Sequence, residues 1–593
     1  MPTRADVSAV PHQGGYIAKY CPARAQYDVL KPAALLEPSA AVQRRMDRGN
    51  AFEADVVAAL TDLHPEAVTI GGDDSAERER ATVAAMEAQA SLILNSRLPA
   101  DETGRRVGKP DLLVKAALGG YRAIDIKHHL TLEPGEGART SALDQLGLEQ
   151  ATADDATQGR KHKGDLLQLA HYQRMLEAAG FAARDGRHGG IIGVERSVVW
   201  HDLDEPRWNT PSSTGKQKKR STMEIYDFEF DFRLDIMAVA ERHLIEPSTD
   251  LLVIPFRKPE CDACPWWGFC RPQLETGSGH PSLIPRMKWE HWVAHRDRGV
   301  TDRAALAALD PLTARLVSAG VRLDDVMPIA RDLPVDTPLA NIAPLGKRRK
   351  QLQTLEAEGV TTARQLAALD ERTASYPAMS GLAEQVDCAR AALGSEPVYR
   401  RRGVERVTVP RGDVEIDVDM ENVEDGVYLW GVLVADGYRP FVTWALEPAS
   451  EIEVFRAFWA WLMDQRANAR TFRAYCWHEQ AENLQMRRIG AAAGLTDEVE
   501  AFIGSDEWVD LRKVFDGQLI SGQGSGLKSV APLAGFAWDV DEPGGDESMV
   551  RYDLAAGGDE GARAWLLDYN RGDVEATRAI RAWMRARAFP ALS

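Results

Sequence analysis

The chain has 593 residues, a formal net charge of −18, 44% apolar residues and 27% charged residues. That length exceeds a single hydrophobic core and predicts about two to four domains, while the composition excludes a disordered or fibrous chain. The acidic balance excludes a uniformly basic nucleic-acid coat and leaves only local basic fields at 216-KQKKR-220, 347-KRRK-350 and 400-RRR-402, each of which reads equally as a solvated loop.

The N-terminal stretch MPTRADVSAVPHQGGYIAKY has no continuous apolar segment of the signal-peptide kind. No later run is long enough to span a bilayer, so a cytoplasmic protein with no membrane partner is expected. Next, 20-YCPARAQYDVL-30 sets Cys21-Pro22 at the mouth of a helix. Residues 41–60, AVQRRMDRGNAFEADVVAAL, carry apolar residues at helical spacing and place Glu53 on a helix that can face the strands that follow.

The stretch 108-GKPDLLVKAALGGYRAIDIKHHL-130 reads as two strands joined by a turn at Gly119-Gly120. Asp111 stands at the start of one strand, and Asp125 and Lys127, two apart, share a face of the other. Two carboxylates in one site ionise together only beside a divalent cation, and a neighbouring lysine suits a phosphate or an attacking water. These are the parts for cutting a phosphodiester, although a D-x-K on an exposed strand is by itself an ordinary solvated face. Then 164-GDLLQLAHYQRMLEAAG-180 is an amphipathic helix with Gln168 and Tyr172 one turn apart.

The six cysteines do not make a disulfide framework in a chain of this size. Cys261, Cys264 and Cys270 fall within 261-CDACPWWGFCRP-272 and offer three ligands, with Cys21 as the natural fourth. Four thiolates fit zinc or an iron-sulfur cluster. Cys388 and Cys476 read as buried fillers.

In this order the motifs resemble the PD-(D/E)xK nucleases of the RecB and AddB lineage, here Pro110-Asp111 followed by Asp125-Ile126-Lys127. The resemblance implies a restriction-endonuclease-like core over residues 1–275, with Asp111, Asp125 and Glu53 as ligands for Mg2+ or Mn2+ and Lys127 orienting the water. Glu53, four residues after Gly49, fills the place of a metal-binding histidine, and hard cations accept its oxygen. Gln168 and Tyr172 resemble the Q-x-x-x-Y helix that supports the site and contacts DNA. The cysteine arrangement resembles iron-sulfur nucleases of the AddB type and the CRISPR adaptation nucleases. A 4Fe-4S cluster, or zinc as the alternative, would there staple the two ends of the nuclease domain.

Residues 276–400 turn helical and Pro-punctuated, and 344-PLGKRRKQLQTLEAEGVTTARQLAALD-370 resembles a helix-hairpin-helix unit that holds backbone phosphates, with Lys347, Arg348 and Arg349 as its contacts. A spacer between two catalytic domains is the alternative.

From residue 401 to 593 the pattern changes again. The piece 413-DVEIDVDMENVEDGVYLWGVLVADGYRPFVTWAL-446 reads as three antiparallel strands, and Asp419 and Glu421 share one face of the first. In 474-AYCWHEQAENLQMRRIG-490, Glu482 fits a site better than Glu479 because Met486 and Ile489 then fall on the buried face, and Asp510 ends another strand that could supplement the site. Lys528 lies in 524-GSGLKSVAPLAGFAW-538, near the expected substrate strand, and 569-YNRGDVEATRAIRAWM-584 places Tyr569 one turn before Asp573. These features resemble the RNase H-like DEDD exonucleases of the YprB group. Paired metals about 4 Å apart clamp the scissile phosphate there, and the tyrosine orients the water. A degenerate domain kept for grip is the alternative.

Taken together, the motifs resemble RecB-like nucleases with a C-terminal RNase H-like exonuclease domain, an α/β multidomain architecture. The resemblance implies a metal-dependent DNA exonuclease acting on single strands or DNA ends in repair or processing. No G-x-x-x-x-G-K-[ST] loop occurs, so unwinding would fall to a separate helicase. Two further expectations stand beside this one: a DNA-clamping accessory subunit with one or both sites inactive, and an RNA-directed 3′ to 5′ exonuclease.

Overall fold

The computed structural model describes residues 10–211, 217–424, 426–541 and 544–592, so Lys216 of the first basic run lies outside it. Two compact units divide the chain. The first comprises the described residues through Pro255 together with Ala263–Phe269, and the second comprises Phe256–Asp262 with the chain from Cys270 onward. No helix among the described residues is long and apolar enough to cross a membrane.

In the first unit helix Pro22–Leu30 comes before helix α1 (Ala40–Leu63), which Ser39 caps. Its sheet has eight strands: β1 (Val68–Thr69), β2 (Leu92–Leu94), β3 (Leu112–Lys115), β4 (Tyr121–Ile126), β5 (Ala138–Ala142), β6 (Thr152–Asp154), β7 (His188–Ile192) and β8 (Ser197–Asp202). Their order across the sheet is β1-β2-β3-β4-β7-β8-β5-β6. The expected hairpin is present, β3 antiparallel to β4, with Gly119 and Gly120 in the positive-φ conformation that a side chain resists. The unit also holds helix Ser75–Glu87, helix α2 (Lys163–Ala178) and helix α3 (Thr222–Ile245).

Both faces of this sheet are covered, which is why β4 reads as a nearly continuous buried run. Leu112, Val114, Ile124 and Ile126 pack with Val56 and Leu60 of α1, whereas Leu113, Tyr121 and Ala123 pack with Tyr172, Met175 and Leu176 of α2. The period of two therefore assigns Asp125 to the α2 face.

The second unit holds a run of short helices between Trp289 and Leu393 around a core that includes Leu316, Val326, Leu355 and Leu382. Helices Arg349–Ala357 and Ala363–Ala367 lie here, with Gly359 between them in the positive-φ conformation. Beyond it lie β9 (Val414–Val423), β10 (Gly426–Val434), β11 (Gly437–Val442), α4 (Pro448–Ala467), β12 (Phe472–Cys476), α5 (Gln480–Ala493), β13 (Trp508–Asp510), α6 (Gly545–Ala556) and α7 (Glu560–Ala586). The sheet order is β11-β10-β9-β12-β13; the first three strands are antiparallel, and β9, β12 and β13 are parallel. Phe455, Phe458 and Leu462 of α4, with Met486 and Ile489 of α5, cover one face. Helix α7 packs on the other face, through Ala576, Ile580 and Met584 against Tyr475 and through Leu566 against Leu429.

Candidate functional site

In the first unit the end of β4 and the entry to β3 meet between α1 and α2. Glu53, Asp111, Asp125, Lys127, Gln168 and Tyr172 all line one cavity of about 520 Å³, together with Tyr16 and Lys109. Every N-terminal catalytic residue expected from the sequence is thus brought to one place. Asp111 Oδ2 accepts from the amide of Ile126 at 2.6 Å, and Lys127 Nζ lies 2.5 Å from Asp125 Oδ2. Burial, then the charges of Asp125 and Glu53, push the Asp111 carboxyl well above its usual range. Burial and Asp125 likewise raise Glu53.

A directed chain of hydrogen bonds lies behind this cavity. Lys19 Nζ donates to Gln168 Oε1 at 2.7 Å, Gln168 Nε2 donates to the Tyr172 hydroxyl at 2.7 Å, and that hydroxyl donates to the Lys109 carbonyl at 3.0 Å. The helical spacing of Gln168 and Tyr172 foretells their contact. Nothing in IAKYCP marks Lys19, whose ammonium burial and Lys127 bring down to about 8.

In the second unit Asp419, Glu421 and Asp573 offer ligand atoms that all lie within 4.8 Å of one another. Asp419 and Glu421 project from one face of β9, and α7 crosses that face with Asp573 and Asn570. Asn570 Nδ2 donates to Asp419 Oδ2 at 2.8 Å, and the Ser548 hydroxyl of α6 donates to Glu421 Oε2 at 3.1 Å. Trp538 Nε1 donates to Asp573 Oδ1 at 2.7 Å, and the Tyr569 hydroxyl also bonds Asp573. Lys528 pairs with Asp573 while its ammonium lies 4.0 Å from the Trp538 ring centre and 4.4 Å from that of Tyr569. Lys528 therefore stands among the carboxylates themselves.

Of Glu479, the N-cap of α5, and Glu482 in its first turn, Glu482 is the one whose charge bears on this cluster. Its charge raises Asp419, it is buried, and its Oε2 has no hydrogen-bond partner. Glu479 instead pairs with Lys513. Asp510, expected as a supplement, is committed elsewhere: it accepts from the amides of Lys513, His478 and Glu479. Burial raises Asp419 well above its usual range, with Asp573 and Glu421 adding to it, and brings Glu421 and Glu482 up to about 8. Crowded carboxylates and an orphaned buried oxygen fit a site for divalent cations. Asn570 and the half-buried Trp538 sit inside the 569–584 and 524–538 segments without a signal of their own, and Ser548 lies outside every motif legible in the sequence.

A second tight group among the described residues is His129, His162 and Asp165 of the first unit. Glu53, Asp111 and Asp125 share their cavity without closing to that distance.

No disulfide joins the six cysteines. Cys21 precedes helix Pro22–Leu30, as expected, and in the same unit burial raises the Cys264 thiol while nearby Cys21 adds to the effect. Cys261 and Cys270 belong to the second unit; Cys388 and Cys476 are buried, as their surroundings foretold. Among the basic residues of the helical hairpin, Arg348 is held by Asp325 at 2.8 Å, Lys347 ends the turn Leu345–Lys347, and Arg349 opens the following helix.

Residues 413–585 match the RNase_H_2 family model of the RNase H superfamily. No curated protein and no solved structure matches the chain. The C-terminal domain is RNase H-like, and the carboxylate cluster lies within the matched residues.

Proposed function

We propose that this chain is a metal-dependent nuclease that hydrolyses phosphodiesters of DNA from single-stranded or duplex ends. The observation that carries this reading is the meeting of Asp419, Glu421 and Asp573 within a domain that matches the RNase H superfamily. Mg2+ or Mn2+ bound there would neutralise the carboxylates and polarise the scissile phosphate. Tyr569 and Lys528 would orient water and steady negative charge, and Glu482 would offer a fourth carboxylate.

The first-unit cavity is a second centre in this proposal, of the RecB-like PD-(D/E)xK type. Asp111, Asp125 and Glu53 would hold the cation, and Lys127, beside Asp125, would hold the nucleophilic water and the phosphate. Cys21, Cys261, Cys264 and Cys270 are proposed as ligands of a 4Fe-4S cluster, supported by their spacing and by the proximity of Cys21 to Cys264. Lys347 and Arg349 are proposed as phosphate contacts, and a separate helicase as the source of unwound strands in DNA repair.

The test is digestion of end-labelled single- and double-stranded DNA, and of RNA of the same sequence, with Mg2+ or Mn2+. Wild type is compared with Lys127→Ala and Asp573→Ala. Loss of DNA cleavage in Asp573→Ala assigns chemistry to the second unit, and loss in Lys127→Ala assigns it to the first. Binding without cleavage by wild type under every metal would sink the enzyme reading in favour of a clamp, and faster loss of RNA would move the substrate. Visible absorption and iron analysis of anaerobically purified protein decide between iron-sulfur and zinc.

A further inference from the structure

We propose that His129, His162 and Asp165 form an additional metal site, selective for a borderline transition ion such as Zn2+ or Co2+, that ties the segment carrying Lys127 to the helix carrying Gln168 and Tyr172. His129 follows β4 two residues after Lys127, whereas His162 is the N-cap of α2 and Asp165 lies in its first turn. One side chain thus comes from each partner of the cavity wall, and a third completes the set.

The geometry is close to that of a bound site. His129 Nε2 lies 2.9 Å from Asp165 Oδ2, the two imidazole rings are 4.3 Å apart between centres, and the three ligand atoms all lie within 4.8 Å of one another. A tetrahedral ion with bonds of about 2.0–2.1 Å holds its ligand atoms roughly 3.3–3.5 Å apart, so small ring rotations close the site. His129 Nδ1 lies 3.1 Å from the Leu130 carbonyl. A proton donated there leaves the lone pair on Nε2, facing the cluster, as ligating histidines are commonly held. Asp165 is 14% exposed and His129 33%, which keeps the anchoring carboxylate sheltered and leaves coordination positions open to water.

The donor set separates this site from the carboxylate clusters. Two imidazoles and one carboxylate favour Zn2+, Co2+ or Ni2+, whereas all-oxygen sites favour Mg2+ and Mn2+. A His129–Asp165 ion pair with the His162 ring tilted beside it is the rival account of the same contacts, and metal binding separates the two.

The experiment is a Co2+ titration of the chelator-stripped full chain, read by equilibrium dialysis and visible absorption, on wild type, His162→Gln, Asp165→Asn and Asp125→Asn. His162 is exposed and its replacement does not disturb the core. Beside any Co2+ taken up by the carboxylate clusters and the cysteines, the expected result is one equivalent, without a sulfur-to-cobalt charge-transfer band, that weakens by more than about tenfold in His162→Gln and in Asp165→Asn and persists in Asp125→Asn. Equal stoichiometry and affinity in all four proteins would overturn the site. So would loss of the equivalent only in Asp125→Asn, or a lost equivalent carrying the thiolate band.

Discussion

Lys19 Nζ donates a 2.7 Å hydrogen bond to Gln168 Oε1, across 149 residues of sequence. The bond fixes Gln168, which in turn holds Tyr172, so one half-buried ammonium anchors the wall of the first cavity. Burial and the charge of Lys127 lower the Lys19 pKa from 10.5 to about 8. Between those values the unfolded chain binds more protons than the folded one, and the contribution of Lys19 to stability rises with pH through that window. In metal-free protein the urea midpoint of wild type is expected to gain relative to Lys19→Met as pH rises from 8 to 10.5. Parallel curves for the two proteins would remove Lys19 from this role.

The carboxylates of the second unit titrate in the opposite sense. Glu421 and Glu482 are raised from 4.5 to about 8, so the folded chain binds more protons than the unfolded one over that interval. Stability of the metal-free protein is therefore expected to fall as pH rises from about 4.5 through 8. Mg2+ or Mn2+ should restore it by binding the ionised form. Thermal unfolding with chelator and with metal checks this, and Glu421→Gln with Glu482→Gln should flatten the chelator curve.

Gly431 lies opposite Asp419 in the β9–β10 register, and a Cβ there would come within 1.6 Å of Asn570 Oδ1. Gly431→Ala is expected to push Asn570 from its bonds to Asp419 and to the Tyr438 hydroxyl. Loss of such a supporting contact predicts a roughly 10–100-fold fall in metal affinity or cleavage at this site. Mn2+ affinity of the variant, measured calorimetrically beside Asn570→Ala, provides the check; wild-type affinity in both would contradict it.

Asp417 is fully buried and bonds Arg581 through Nε at 3.0 Å and Nη2 at 2.7 Å, with Arg578 at 3.2 Å. Removing one member leaves a buried charge without its partner, so Arg581→Met should destabilise by about 3–5 kcal/mol. Asp417→Asn, which keeps the shape and relieves the charge, should cost less. Denaturant unfolding orders the two, and the reverse order would refute the charge argument.

Parts of this arrangement are legible in sequence because they are local. The Gly119-Gly120 turn with alternation on either side fixes β3 and β4, and helical spacing pairs Gln168 with Tyr172 and buries Met486 with Ile489. Strand β9 shows where locality ends. Its pattern D-x-D-x-E puts Asp417, Asp419 and Glu421 on one face, but only the approach of α7 separates a structural carboxylate from two that join Asp573. Lys19, Ser548 and the His129 group are silent for the same reason: their partners arrive from distant segments. The short strands β5 and β6 carry no period long enough to announce the eight-stranded sheet.

Helix α7 supplies Tyr569, Asn570 and Asp573 to the cluster and Arg578 and Arg581 to the buried ion pairs. The ribosome makes it after every strand of its sheet. Asp419 therefore leaves the exit tunnel 151 residues ahead of Asn570, and a nascent chain carries two of the three clustered carboxylates until α7 docks. Order of synthesis thus delays assembly of the carboxylate triad until the domain that contains it is complete.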